Sequence, residues 1–169
     1  MARLRDVVAY LCHAYPHKGD LSKARLTKMV YLADWRSAII RGHQITEIEW
    51  IYNYYGPYVE AVIDAIRDDP AFSVIQTANM FGDQKEIVQL NTETSWPSLT
   101  EEDIKILDFV IEETAPLYWN EFIQLVYSTY PIVSRPRFTP LELAALASEY
   151  KDSQSGLTVE GERLQKASA

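Results

Sequence analysis

The side chains best suited to covalent or metal chemistry are few and poorly spaced for it. His13 and His17 are four apart, the interval that puts two metal ligands on one helix face. Pro16 lies between them and ends any helix that would carry both. Cys12 is the only cysteine, so neither an intrachain disulfide nor a cysteine-based metal cluster can form. A Cys12–His43 nucleophile pair would need an activated thiolate, and a cysteine on the apolar stripe of a helix is usually inert packing. The six glycines form no phosphate-binding loop, and Gly-x-Ser-x-Gly is absent. Glu101, Glu102 and Asp103 stand where the positive end of a helix dipole attracts carboxylates, which accounts for them without catalysis. The chain therefore reads as a non-enzyme, with no catalytic residue, no metal ligands and no cofactor.

What stands out instead is suited to non-covalent contact. The run Trp50-Ile51-Tyr52-Asn53-Tyr54-Tyr55-Gly56-Pro57-Tyr58 is the densest aromatic stretch of the chain. A strand points alternate side chains to opposite faces, so both faces here carry aromatics. One set can fill a core; the other must be covered by another element or by a partner. Tyr and Trp are enriched at protein interfaces because they offer large amphipathic contact area. Trp50, Tyr52, Tyr54, Tyr55 and Tyr58 are therefore candidate partner-binding residues.

The elements that must position this run can be read from periodicity. Leu4, Val7, Val8 and Leu11 predict a helix over residues 4–15, stopped by Pro16. Ser22 or Asp20 can cap the next helix, in which Leu26, Met29, Val30, Ala33 and Ile40 share one face. Gly42 follows as its left-handed C-terminal cap. From Ile48 to Tyr55 the pattern alternates as a strand. Gly56-Pro57 is expected to end it, with Pro57 opening a helix that buries Val59, Val62, Ile63 and Ile66. Residues 72–77 and 86–90 predict a hairpin with Asn79, Gly82 and Asp83 at its turn, and with residues 48–55 they would make a three-stranded antiparallel sheet. Thr100 and Asp103 form a capping-box pattern, with Leu99 and Ile104 as its hydrophobic staple. Ile104, Leu107 and Ile111 are the expected buried face. Pro116 should open a further helix burying Trp119, Phe122, Ile123, Val126 and Tyr130. Pro131, Pro136 and Pro140 should break the chain, and residues 141–150 make a last helix. The fold class is α+β: about five to six helices with a small three-stranded antiparallel sheet, forming one domain over 1–150 and a polar tail over 151–169.

Composition agrees with a single domain of 169 residues, 47% hydrophobic and 24% charged. No apolar run approaches the ~20 residues of a membrane span, and the first residues do not read as a secretory signal, so the expected location is the cytoplasm. The net charge of −8 is uneven. Residues 1–45 hold eight Lys/Arg against three Asp, or +5, and the rest holds eight basic against 21 acidic residues, or −13. An acidic protein is a poor generic binder of nucleic acid. Arg25, Lys28 and Arg36 could form a local basic patch, but charges on an amphipathic helix normally make a solvated face, and that is the expectation here.

Three blocks of this chain resemble a known family. Leu26-Thr27-Lys28-Met29-Val30-Tyr31-Leu32-Ala33-Asp34, then Gly42-His43-Gln44-Ile45-Thr46, then Tyr54-Tyr55-Gly56-Pro57-Tyr58-Val59, resemble in order and spacing the Panacea domain of the SocA-like antitoxins. The resemblance is clear over residues 20–67 and weaker over 100–132. It implies a small bacterial or phage protein, phage or prophage associated, that neutralises a cognate toxin encoded beside it by direct binding and, in the SocA case, by delivering it to a protease. Leu26, Leu32, Gly56 and Pro57 match positions that look structural, whereas Lys28 and Asp34 match polar positions that pair with neighbours or face the partner; both join the candidate partner-binding set. The family's later Leu-Thr-His and Pro-Trp are here Leu125-Val126-Tyr127 and Pro131-Ile132. Two alternatives stand beside the blocking antitoxin: an adaptor or chaperone-like protein that delivers a client to a protease, with the tail as tether, and a DNA-binding autoregulator using Arg25, Lys28 and Arg36. The toxin's identity and the oligomeric state are not readable from the chain.

Overall fold

The computed structural model describes residues 1–78 and 80–154. Its centre is one helix. The first helix, α1, runs Leu4–Ala14; a 3-10 turn over Lys18–Asp20 leads into α2, Lys23–Arg41. Ser22 caps α2 by accepting a hydrogen bond from the Arg25 backbone N–H, and Gly42 ends it with φ of 80°. Both boundaries follow from the physics of unpaired groups at helix ends. Every residue from Arg25 to Ile39 is buried. A helix covered on all sides belongs in the core rather than on it, and α2 packs against α1, α3 (Ala61–Asp64), α4 (Glu101–Thr114), β4 (Gln84–Leu90) and α7 (Leu143–Ser153).

This burial corrects two expectations. Ile40 is exposed, although Ile39 beside it in the same turn is fully buried: the last turn of α2 is covered on one face only. The solvated basic face does not exist: Arg25, Lys28 and Arg36 are all buried. The Arg25 guanidinium donates to the carbonyls of Thr114 (2.7 Å), the last residue of α4, and of Leu117 (2.9 Å) just past it, and lies 4.5 Å from the Phe122 ring centroid. A cation at the C-terminal end of a helix meets its dipole and its free carbonyls. Arg36 lies 4.3 Å from the Phe109 ring centroid. Charge alone reads as solvent-facing; it is the arrival of α4 some 70 residues later that covers these side chains.

The sheets differ from the expected arrangement. β1 (Trp50–Asn53) pairs antiparallel with the two-residue β2 (Gly56–Pro57) on one side and with β5 (Pro140–Leu141) on the other. The hairpin of β3 (Phe72–Ala78) and β4 is a separate two-stranded sheet. So Gly56-Pro57 does not end the strand and open a helix. The chain turns at Tyr54-Tyr55, Gly56-Pro57 runs back along β1, and α3 begins only at Ala61. The expected turn residue Asn79 lies outside the described residues.

The second half follows its capping signals. Thr100 and Asp103 form the reciprocal capping box of α4, whose buried residues include Ile106, Leu107, Val110 and Ile111, with Ile104 half-buried. Next come α5 (Trp119–Tyr127) and α6 (Tyr130–Ser134), where Pro131 sits in the first turn instead of breaking the chain, as a proline without an N–H is free to do there. Seven α-helices are described, one more than the upper expectation. Residues 151–153 complete α7, and of the expected tail residues 155–169 lie outside the described residues. No described helix is long and apolar enough to cross a membrane.

Candidate partner-binding surface

Two of the sequence-predicted residues, Asp34 and Trp50, lie in the interior. Asp34 is fully buried and accepts five hydrogen bonds. Its Oδ1 takes the backbone N–H groups of Ile45 and Thr46, both at 2.9 Å. Its Oδ2 takes the Thr46 hydroxyl (2.5 Å), the Trp50 indole Nε1–H (2.9 Å) and the Gln44 side-chain amide (3.3 Å). Burial pushes the carboxyl up to about 6, and the donors from Thr46, Trp50 and Ile45 pull it back. All five partners are donors, the arrangement that suits a carboxylate with its acceptor capacity filled. It pins the Gly42–Thr46 loop and the start of β1 to the core helix. Trp50 donates to it and stacks edge-on against Tyr31 at 5.5 Å, so both residues position the surface and do not present it. Tyr52, also buried, continues the strand behind that surface.

The other four come together. Lys28, Tyr54, Tyr55 and Tyr58 line one cavity of about 490 Å³, together with Ala24, Asn53 and, from α5, Trp119, Ile123 and Tyr127. Gly56 makes this closure possible. Its φ of 98° is one that residues with a side chain rarely adopt, and a Cβ there would stand 3.4 Å from the Tyr127 ring. Tyr54 and Tyr55 are 63% and 75% exposed and pack edge to face at 4.8 Å. Phe138, 65% exposed, sits 6.4 Å from Tyr54. Its φ is 67°, the left-handed region that a bulky residue rarely adopts. Tyr118 and Trp119 add two more exposed aromatics.

At the floor of this cavity is Lys28, only 3% exposed. Its Nζ lies 5.7 Å from the Tyr58 ring centroid, and among the described residues it has neither a carboxylate partner nor a hydrogen-bond acceptor. Burial pushes the amine down to about 8. Tyr58 cannot neutralise it, since its own hydroxyl donates to Glu60 (3.1 Å) and burial raises its pKa.

The residues set aside for chemistry stay apart. Cys12 is buried, and its thiol is pushed up to about 12, so it carries no thiolate. His13 stacks on Trp96 at 5.0 Å, whereas His43 is exposed in the loop after α2. Among the described residues no three His, Cys, Asp or Glu side chains converge to hold a metal ion. With Arg25, Lys28 and Arg36 buried, the patch that an autoregulator would lay on phosphates is not on the surface.

Sequence reasoning missed Trp119, Tyr127, Tyr118 and Phe138. Trp119 shares a helical period with Phe122 and Val126 and so read as core; its place in the first turn of α5 swings it outward. Phe138 lies in a stretch that the prolines marked only as irregular. Residues 26–131, well over half of the chain, match the family model described as "Antitoxin SocA-like, Panacea domain". No curated protein and no solved structure matches it.

Proposed function

Because this chain belongs to the SocA-like antitoxin family of the Panacea domain, we propose that it neutralises a cognate toxin by covering it, through the surface that Tyr54, Tyr55, Tyr58, Tyr118, Trp119 and Phe138 form around Lys28. The observation that carries this reading is the gathering of exposed aromatics from three separate segments around one pocket. Aromatic anchors over a desolvated centre are what dominate the energy of protein interfaces. The mechanism is steric: the toxin's working surface is occupied, and no bond is made or broken. The surplus of acidic residues beyond residue 45 supplies a field that speeds encounter with a basic toxin.

The experiment is co-expression with the adjacent gene. Its product is expected to be toxic alone, harmless beside this protein, and to co-purify with it. A Tyr54→Ser/Tyr55→Ser double variant should keep its melting temperature and lose co-purification and protection. If the neighbour is harmless alone and the two products do not associate, the antitoxin reading fails.

A further inference from the structure

The Lys28 cavity shows a charge with nothing opposite it among the described residues. Its walls are Ala24, Asn53, Ile123 and the rings of Tyr54, Tyr55, Tyr58, Trp119 and Tyr127, so among the described residues no group of opposite charge lines it. The volume, about 490 Å³, falls within the range of ligand pockets, roughly 300–1,000 Å³. We propose that this cavity is the anchor for one carboxylate of the toxin, an Asp or Glu side chain that enters between the aromatic rim residues and pairs with the Lys28 amine. The inference rests on the antitoxin reading and names the chemistry that reading leaves open.

The occupant's charge follows from the walls. A cation is repelled by the amine. A phosphate, with two negative charges and three acceptor oxygens, calls for several converging donors or an arginine fork, and here there is one amine among rings. A single carboxylate matches a single ammonium. The occupant's source follows from continuity. The cavity opens among Tyr54, Tyr55 and Trp119, the same exposed side chains that form the proposed interface. Its neighbour, a cavity of about 830 Å³, shares the walls Ala24, Tyr58 and Trp119 and carries the same surface on toward Arg25, Leu117 and the hairpin. A macromolecule lying across this face would seat a side chain in the smaller cavity; a free acid would have no use for the rim. Desolvated charge pairs at interfaces couple strongly, because the rings around them exclude water.

The test uses the full-length protein and the adjacent gene's product. Lys28→Met keeps the aliphatic stem and removes the charge. It is expected to keep or raise the melting temperature and to weaken toxin binding at least tenfold. One Asp→Asn or Glu→Gln substitution in the toxin should reproduce that loss, and combining the two should add little, as a double-mutant cycle for a true pair requires. If the methionine variant binds as wild type while the Tyr54→Ser/Tyr55→Ser variant does not, the aromatic surface stands and the carboxylate anchor is overturned. If the adjacent product never binds, the antitoxin reading fails and the cavity is judged by itself. N-acetyl-aspartyl-phenylalaninamide, titrated into lysine-labelled protein, should shift the Lys28 Cε resonance, and the asparaginyl analogue should not. Equal shifts, no shift, or tighter binding of free phenylacetate would each overturn the proposal.

Discussion

Lys28 and Asp34 lie six residues apart on α2, both buried and both charged, yet the protein treats them in opposite ways. Asp34 receives five donors from the loop and strand that follow the helix. Lys28 faces aromatic rings and is paired with no carboxylate among the described residues. A buried charge is tolerable when its hydrogen-bond capacity is filled, and it destabilises the fold when it is not. One side of the helix thus holds the molecule together. The other carries a cost within the protein alone, which a partner's charge would offset. Phe138, in a left-handed conformation, and the exposed Tyr54 and Tyr55 belong to the costly side.

The largest effect should come from the side that holds. Asp34→Ala leaves two backbone N–H groups, an indole N–H and a hydroxyl without an acceptor, all in a buried setting. The expected loss is about 3–5 kcal/mol, read as a collapse of the urea midpoint, and the variant should lose protection because it unfolds. A loss below about 1 kcal/mol would mean that water or rearrangement replaces the carboxylate, and the contrast would fail.

Lys28→Met should move stability the other way. Burial holds the amine near 8, whereas an unfolded lysine titrates near 10.5. Below pH 8 both states are protonated and the folded state carries the full cost of the buried charge. As pH rises from 8 toward 10.5 the folded state sheds its proton first, so the wild type gains stability across that window. The difference amounts to roughly 3 kcal/mol at most. The methionine variant should therefore be more stable at pH 7, and its advantage should shrink between pH 8 and 10.5. Tyr58, whose pKa burial raises, Lys23 and Glu60 lie on the same side and are common to both proteins, so the difference curve isolates Lys28. A constant difference across that window would show that the amine is not desolvated.

Gly56→Ala tests the joint between the two sides. Alanine at φ of 98° is strained, while its Cβ, 3.4 Å from the Tyr127 ring, would only reach van der Waals contact. A loss of about 1–2 kcal/mol is expected by chemical denaturation, together with weaker toxin binding if the strained backbone relaxes and shifts Tyr54 and Tyr55 on the rim of the cavity.

What the chain disclosed before folding follows the same division. The holding side is written in local chemistry. Ser22, Gly42 and the Thr100–Asp103 box mark helix ends through groups a few residues away, and each was legible. The pairing of β1 with β5 was not, since a two-residue strand beginning at Pro140 has no period to read and its partner lies some 90 residues upstream. The cavity was legible by half. Its β1–β2 wall is one aromatic run, and Lys28 and Asp34 were marked by the resemblance. Its α5 wall is set by which way a helix faces after docking, and the lack of a counter-charge at Lys28 depends on where every other described carboxylate ends up. Periodicity records neither.

The smallest effect should come from Phe138, where stability and binding are expected to part. A bulky residue in the left-handed region costs roughly 1–2 kcal/mol, and glycine removes that strain while giving back about half in chain entropy. The side chain is mostly exposed, so little packing is lost with it. Phe138→Gly should therefore leave the melting temperature unchanged or raise it slightly, by about 0.5–1 kcal/mol in stability. If the ring next to Tyr54 is part of the toxin-covering surface, the same variant should bind the toxin several-fold more weakly. A variant that is no less stable and yet protects less well would place Phe138 with Lys28, among residues that the fold alone does not favour. Full protection would confine the costly side to the cavity and its tyrosines, because strain without a binding role would then be local to the Pro136–Thr139 turn.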